Sequence, residues 1–556
     1  MILSTVSPRV ILVQLVFIFC LLCLCPCVAP QPAISKCEIC RLGLDLFVDW
    51  AKTNETEFEL VGTLVDVCNK LQLEQPDVCA GILAAYVPEV STILLELYAN
   101  ENDISHVCYD IGWCQNETRS AQPSAAASYL RKPSLPRPVP EPFKKTPNGL
   151  TVLQLSDVHM DPLYAVGSAA QCGKPLCCRA DDQPIDGNRT AGAWGDYECD
   201  INEKMLHSMF TNIANTVKPD IILWTGDNPP HNVWSQSREF QLNATRRVTG
   251  FMKQYFPGIH VLPSIGNHES FPCDQFQVPP YENWLYSVMG EEWSEWLTVD
   301  ARATLEYAGY YTMKLNEKLR VISLNTQYGD DINFFLLLAE TDPGNQLQWL
   351  NETLWESAEN DETLWILGHI PTNNHFAYPK YAQMVLDILQ PHAHRIGGFF
   401  TGHVHTDGIS VALDKETEEP WLVQYVSPSV TSFTHLNPSY RVYDMDSGNH
   451  VEDYKQYVTN ITAANLEDKA PWILEYSARD SYQLPDMSPA SWAVFAREIF
   501  TNDDLFDLYY KHYYTSSPFV EIFACHQGPC RQKLVCGTLA GTQNETAQCM
   551  HDLAAW

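Results

Sequence analysis

Five runs of apolar, β-favouring residues each stop on a short polar cluster. TVLQLS (151–156) runs into Asp157-Val158-His159 and DIILWT (220–225) into Gly226-Asp227. HVLPSI (260–265) runs into Gly266-Asn267-His268-Glu269, TLWIL (363–367) into Gly368-His369, and GGFFT (397–401) into Gly402-His403-Val404-His405. Runs of this length predict buried strands, each delivering an Asp, Asn or His where it ends, so that the polar side chains gather along one sheet edge. The flanks follow a helical period instead. Leu42, Leu44, Leu46, Phe47 and Trp50, then the block Ile82 to Val87, put large apolar residues on helix faces, and 488–514 also reads as helix. Pro133, Pro136, Pro138, Pro140 and Pro142 favour extended chain between helix-rich and strand-rich parts. The expected divisions are 1–33, 34–118, a proline-rich linker over 119–147, a strand-rich 148–471 and a helical 472–556.

The five clusters suit one chemistry. Two divalent cations held close together need a carboxylate between them, with imidazole and amide ligands filling the remaining positions. Asp227 is the natural bridge. Asp157, His159, Asp227 and His405 are assigned to one ion, and Asp227, Asn267, His369 and His403 to the other. Any one cluster alone reads as a turn or a hydrogen-bonded core histidine; five in order do not.

The order and spelling of the clusters resemble the calcineurin-like metallophosphoesterases. The words SDVHMDPLY (156–164), TGDNPPHNVW (225–234), GNHE (266–269) and LNPSYRVY (436–443) narrow the likeness to the acid sphingomyelinase family, from about Cys37 to the C-terminus. The resemblance implies an α+β protein: an all-helical saposin domain, a two-sheet sandwich flanked by helices, and a helical C-terminal subdomain. It implies two zinc ions and hydrolysis of sphingomyelin to ceramide and phosphocholine by a metal-bridging hydroxide. A ceramide-like alkoxide is a strong base and needs a proton to leave; the family implicates His268 and His231, with His268 the favoured donor. A quaternary ammonium prefers aromatic faces, which makes Tyr164, Trp234 and Phe433 choline candidates. Two other functions stay open: a phosphodiesterase of nucleotides or other soluble phosphoesters, and a lipid-presenting protein without catalysis. The second would be expected to have lost metal ligands, and none is missing.

The chain carries 19 cysteines, and its first residues change where they are read. An early Arg9, an apolar run through Val28 and small residues to Ala33 form a secretory signal peptide. Cys20, Cys23, Cys25 and Cys27 leave with it. Sequons at Asn54, Asn116, Asn188, Asn243, Asn351, Asn460 and Asn544 fit glycosylation on the same route. Six cysteines in the helical N-terminal segment allow fifteen pairings, and secretion favours disulfides over a zinc knuckle. The saposin resemblance pairs Cys37 with Cys114, Cys40 with Cys108 and Cys68 with Cys79. The wider family resemblance pairs Cys172 with Cys177 and Cys178 with Cys199; Cys525 with Cys530 and Cys536 with Cys549 follow in sequence order. Cys273 is left over, as a free thiol, a dimer link or a partner for a mispaired cysteine.

The formal net charge of −33 at pH 7 excludes a nucleic-acid backbone as the main partner. The partner expected is a sphingomyelin-containing membrane or lipoprotein surface, met peripherally through the saposin domain. No segment after the signal reads as long and apolar enough to span a bilayer. Secretion, lysosomal delivery or both follow.

Overall fold

The structure is a computed structural model that describes residues 36–53, 56–101, 107–110, 114, 149–185, 189–277, 284–338, 342–520 and 525–554. The expected signal peptide, the linker and the sequons at Asn54, Asn116 and Asn188 lie outside these residues.

Twelve strands among the described residues form two six-stranded sheets. In chain order they are β1 (Thr151–Leu155), β2 (Ile221–Trp224), β3 (His260–Pro263), β4 (Tyr311–Asn316), β5 (Leu319–Ser323), β6 (Thr363–Leu367), β7 (Ile396–Thr401), β8 (Gly408–Leu413), β9 (Pro420–Val426), β10 (Ser439–Met445), β11 (Val451–Val458) and β12 (Ile473–Ser477). The first sheet runs β12-β11-β10-β1-β2-β3 and the second β4-β5-β6-β7-β9-β8. Val152 pairs with Ile221 and Ile222 with Val261 in parallel register. Parallel strands covered on both faces need nearly continuous apolar sequence, and the one polar residue inside β1, Gln154, is buried with its hydrogen bonds met by Thr401 and Tyr443.

The return connections are helices Glu203–Thr216 and Arg238–Tyr255. Their first turns are capped by Asn202, which accepts from the Met205 amide, and by Ser237, which accepts from Phe240. Met205, Met209, Phe210 and Ile213 of the first helix are buried in the core. Between the sheets lie Trp365, Phe400, Tyr425 and Tyr443, ring against ring. Truncating fully buried Trp365 or Phe400 to Ala would cost about 3–5 kcal/mol, because the cavity could collapse only in part.

Two expectations about the strands need correction. The ligand-bearing strands do not belong to one sheet: β1, β2 and β3 lie in the first and β6 and β7 in the second, so the clusters meet where two sheets end together. The segment from 472 is not wholly helical. Its first residues form β12, which pairs antiparallel with β11 and completes the first sheet. Helices Pro489–Thr501, Asp503–Tyr513, Gly528–Thr538 and Gln543–Ala554 follow.

The N-terminal module consists of α1 (Lys36–Ala51), α2 (Glu57–Leu71) and α3 (Pro76–Glu101) with a short turn at Val107–Asp110. Disulfides join Cys37–Cys114, Cys40–Cys108 and Cys68–Cys79, and elsewhere Cys172–Cys177, Cys178–Cys199, Cys525–Cys530 and Cys536–Cys549. Cys273 is free and buried. Over Pro76–Ala99, α3 is long and apolar enough to cross a membrane by composition alone, contrary to the expectation that no later segment was. Half of its most apolar stretch is buried within the protein, because its faces serve three cores. Leu83 and Val87 pack with Leu64 and Val67 of α2. Ile93 and Leu97 pack with Leu44, Phe47 and Trp50 of α1 and with Phe334 and Phe335 beyond the module. Ile82 and Tyr86 pack against Trp234.

Candidate dimetal site

The clusters sit on tight loops just past the strand ends. Five of the seven expected ligands, Asp157, His159, Asp227, His403 and His405, have φ between 40° and 70°. This left-handed region costs a non-glycine residue roughly 1–3 kcal/mol and concentrates at sites where surrounding contacts over-determine it. Glycines let the loops close on one another. A Cβ on Gly266 would lie 2.1 Å from Asp227 Oδ1, and one on Gly402 1.8 Å from Ser156 Oγ.

Asp157, His159 and His405 form one group of potential ligands and Asp227, His369 and His403 a second, each with its ligand atoms within 4.8 Å. Asp227 Oδ2 lies 3.3 Å from His159 Nε2 and 3.2 Å from His369 Nε2, between the two groups. Asn267 Oδ1 lies 2.8 Å from His369 Nε2 and 3.0 Å from His403 Nδ1.

Hydrogen bonds facing away from the centre fix what faces it. His159 Nδ1 donates to the Pro229 carbonyl at 2.7 Å and His405 Nδ1 to the Phe433 carbonyl at 2.9 Å. In the neutral rings both Nε2 atoms therefore carry lone pairs, yet they face each other at 3.2 Å. Asn267 Nδ2 donates to Asp274 Oδ1 at 2.8 Å, which turns its oxygen inward. His369 Nδ1 donates to the Thr225 carbonyl at 2.6 Å. The facing lone pairs of His159 and His405, with no donor between them, are the arrangement a cation resolves, and carbonyl-anchored imidazoles are how proteins orient metal ligands. The donor set, two carboxylates, an amide oxygen and four imidazoles, fits two divalent cations.

The electrostatics agree. Burial pulls the His159 imidazole down to about 4, and His403 falls well below its ordinary range through burial and the charge of His369. Burial opposes charge on His369 too, but the Asp227 carboxylate prevails and lifts it to about 9. Asp227 is held well below the usual carboxylate range despite its burial by His369 and His268. A proton on His369 thus does in part what a cation does.

His231 and His268 stand beside these groups, and with His159 they make a third cluster. Their ring centroids are 4.7 Å apart, and the His231 ring lies 3.9 Å from that of His159. Burial depresses both imidazoles, His268 to about 4 and His231 well below its ordinary range. The His268 amide donates to Asp227 Oδ1 at 2.9 Å, and its buried Nδ1 has no hydrogen-bond partner.

Sequence reasoning missed two supports. Buried Asp200 accepts from the His231 Nδ1 at 2.8 Å, from the His231 amide at 2.7 Å and from Thr431 Oγ1 at 3.0 Å. Glu269 accepts from the amides of Gly266, Asp227 and Asn228, tying two ligand loops together. Glu269 stood in a recognised cluster, three residues past Gly266; Asp200, in a disulfide-bonded insertion, had no periodicity to mark it.

Of the choline candidates, Phe433 lies ring to ring with His231 at 4.4 Å. Tyr164 is half-buried with its hydroxyl donating to the Gly192 carbonyl, and Trp234 is buried under α3. All three belong to one apolar cluster with Ile82, Ala85 and Tyr86 of α3. The sequons at Asn243, Asn351 and Asn544 are exposed, while Asn460 is half-buried and caps a helix through its oxygen.

Fold and site together define a dimetal phosphoesterase. Residues 150–407 match the calcineurin-like phosphoesterase family and 420–556 match the acid sphingomyelin phosphodiesterase C-terminal region. Sphingomyelin phosphodiesterase B of Dictyostelium discoideum is 34% identical over 529 residues, covering 93% of this chain and 82% of its own. Sphingomyelin phosphodiesterase A of the same organism is 36% identical, covering 92% and 90%. A cyclic GMP-AMP phosphodiesterase, SMPDL3A of Bos taurus, is 32% identical over 69% of this chain and 87% of its own. The chain belongs to the sphingomyelin phosphodiesterase family.

Proposed function

We propose that the protein is an acid sphingomyelinase, secreted or lysosomal, that cleaves sphingomyelin to ceramide and phosphocholine at a two-zinc centre. The ligands are Asp157, His159, Asp227 and His405 for one ion and Asp227, Asn267, His369 and His403 for the other. Zinc suits the four imidazoles and borderline-soft donor set. When bound, two such ions supply an acidified water nucleophile and neutralise phosphodiester oxygens.

The chain's own residues do the rest. Asp227 holds the two ligand groups together and, through its Oδ1, the His268 amide. Asp200 locks the His231 ring so that its Nε2 is the free atom, suited to a phosphoryl oxygen. His268, with an unpartnered ring nitrogen, carries the proton to the leaving ceramide oxygen. Burial keeps it neutral at rest, so it takes up that proton beside the substrate's negative charge. Phe433, Tyr164 and Trp234 provide aromatic surface for choline.

The observation that carries the lipid reading over a soluble phosphodiester is the place of α3. A helix of the disulfide-bonded module, read as a saposin domain over 34–118, puts Ile82 and Tyr86 into the same apolar cluster as Tyr164, Trp234 and Phe433. This supports the reading, because an apolar helix of the module expected to handle lipid forms part of the wall beside the reacting groups. The test compares sphingomyelin, phosphatidylcholine and nucleotide diesters at acid and neutral pH, with and without zinc. Preference for sphingomyelin in acid supports the reading; preference for a nucleotide diester overturns it.

A further inference from the structure

The stretch 436–443, LNPSYRVY, holds no expected metal ligand or catalytic residue, yet three of its side chains brace the segments on either side of His405. Asn437 is buried and fully engaged. Its amide donates to Thr515 Oγ1 at 2.9 Å, its Nδ2 donates to the carbonyls of Thr515 and Ser516, and its Oδ1 accepts from the Tyr197 hydroxyl at 2.7 Å. These bonds pin the end of the loop whose Phe433 carbonyl accepts the His405 Nδ1 proton. Ser439 donates to the Ser429 carbonyl from both its amide, at 3.1 Å, and its hydroxyl, at 2.8 Å. The Ser429 amide in turn donates to the His405 carbonyl at 3.0 Å. Arg441, buried, pairs with Asp407 two residues past His405 and donates from Nε to Gln456. Asp407 also accepts from the Tyr476 hydroxyl of β12 at 2.6 Å.

His405 needs such support more than its counterparts do. His159 and His369 take their anchoring carbonyls from Pro229 and Thr225, each two residues from Asp227, so the site itself holds those carbonyls in place. The carbonyl that anchors His405 stands on a loop carrying no ligand. Like His159, His405 has a positive φ, here 62°, a conformation that persists only when neighbours over-determine it, and its neighbours are the ones outside the site.

We propose that Asn437, Ser439 and Arg441 form a positioning unit that sets the tautomer and direction of His405, completed by the C-terminal segment at Thr515; this rests on the dimetal reading of the site. The unit touches neither substrate nor reacting atoms. It ties the C-terminal segment to one ligand of one metal position.

The test uses the full chain carrying Asn437→Ala, Thr515→Val or Ser439→Ala. Zinc binding to metal-stripped protein is followed by chelator competition, and the imidazole nitrogen shifts of His405 are read by NMR in the metal-free state. One of two zinc equivalents should bind roughly 10–100-fold more weakly in Asn437→Ala, as for other residues that orient metal ligands. The second equivalent should be unchanged, and the His405 ring should lose its single Nδ1–H tautomer. Ser439→Ala, which keeps the backbone donor, should shift the same quantities less. Excess zinc should restore turnover. Both equivalents weakening in step with the melting temperature would make the unit merely structural, and an unchanged tautomer would overturn the proposal. If Asn437→Ala does not fold, Thr515→Val and Ser439→Ala decide. A wild type binding fewer than two zinc ions would contradict the dimetal reading instead, and the metal-free tautomer would still judge this one.

Discussion

Substituting Gly81 by Ala tests how tightly the helical module is joined to the catalytic unit. Gly81 lies within α3, where its backbone meets Trp234: a Cβ there would stand 1.9 Å from the Trp234 carbonyl oxygen and 2.8 Å from its carbonyl carbon. A carbon and a carbonyl oxygen rest at about 3.3 Å or more, so the helix would have to withdraw by over ~1 Å. Two effects then oppose each other. Ala gains about 1 kcal/mol over Gly in a helix interior. Overpacking a fitted contact costs typically about 1–3 kcal/mol, and here the opposing atoms are backbone, which cannot rotate away. The helix should therefore remain formed while its docking is lost, and Ile82 and Tyr86 should part from Trp234, Tyr164 and Phe433. Sphingomyelin hydrolysis in detergent-free vesicles should fall several-fold, hydrolysis of a short water-soluble phosphocholine ester should fall less, and the zinc content should stay constant. A variant with a higher melting temperature and unchanged vesicle activity would show that α3 is not seated on Trp234, and the reasoning would fail.

Other expectations follow from the site and core. Asp227→Ala should abolish turnover and lower bound zinc while leaving the seven disulfides intact; wild-type activity, or two zinc ions still bound, would refute its place between the metal positions. His268→Ala should impair cleavage of sphingomyelin far more than cleavage of an analogue with a nitrophenolate leaving group, which needs no acid. Equal loss on both would transfer the donor role to His231, which Asp200 anchors. Burial lifts the Glu475 carboxyl from 4.5 to about 8, although Ser516 Oγ donates to it. A carboxyl whose pKa rises on folding costs nothing while it is protonated in both states, and its cost grows as pH climbs from the unfolded value through the folded one. The melting temperature should thus decline between about pH 5 and pH 8, and Glu475→Gln should flatten that decline; an equally steep curve in the variant would show that Glu475 is not the group responsible.

The strands that carry the ligands were legible because each is a short apolar run ending abruptly in Asp, Asn or His, a local signal. Which sheet each strand joins was not, because that depends on pairing between residues far apart, such as Ile366 with Phe399 and Val152 with Tyr443. Hence the two-sheet sandwich was expected, but the five ligand-bearing strand ends were assigned to one sheet edge when they belong to two. β12 was hidden for a related reason: it is an edge strand whose Ile473 and Leu474 are exposed, so its apolar residues carry no pattern of one buried face. Asp200 is a lone carboxylate in an irregular insertion, and only the folded chain brings it under His231. The apolar stretch of α3 was recognised, but Gly81 was silent, since its use lies in the close approach of Trp234 and not in the helix.

The central claim, a two-zinc sphingomyelinase, is tested most directly by stripping the purified full chain of metal and titrating zinc back while following phosphocholine release from sphingomyelin at acid pH. Activity should be absent in the stripped protein and rise to a plateau at two zinc ions per chain. Phosphocholine release that persists in demonstrably metal-free protein, or a fully loaded protein that releases none, would contradict it.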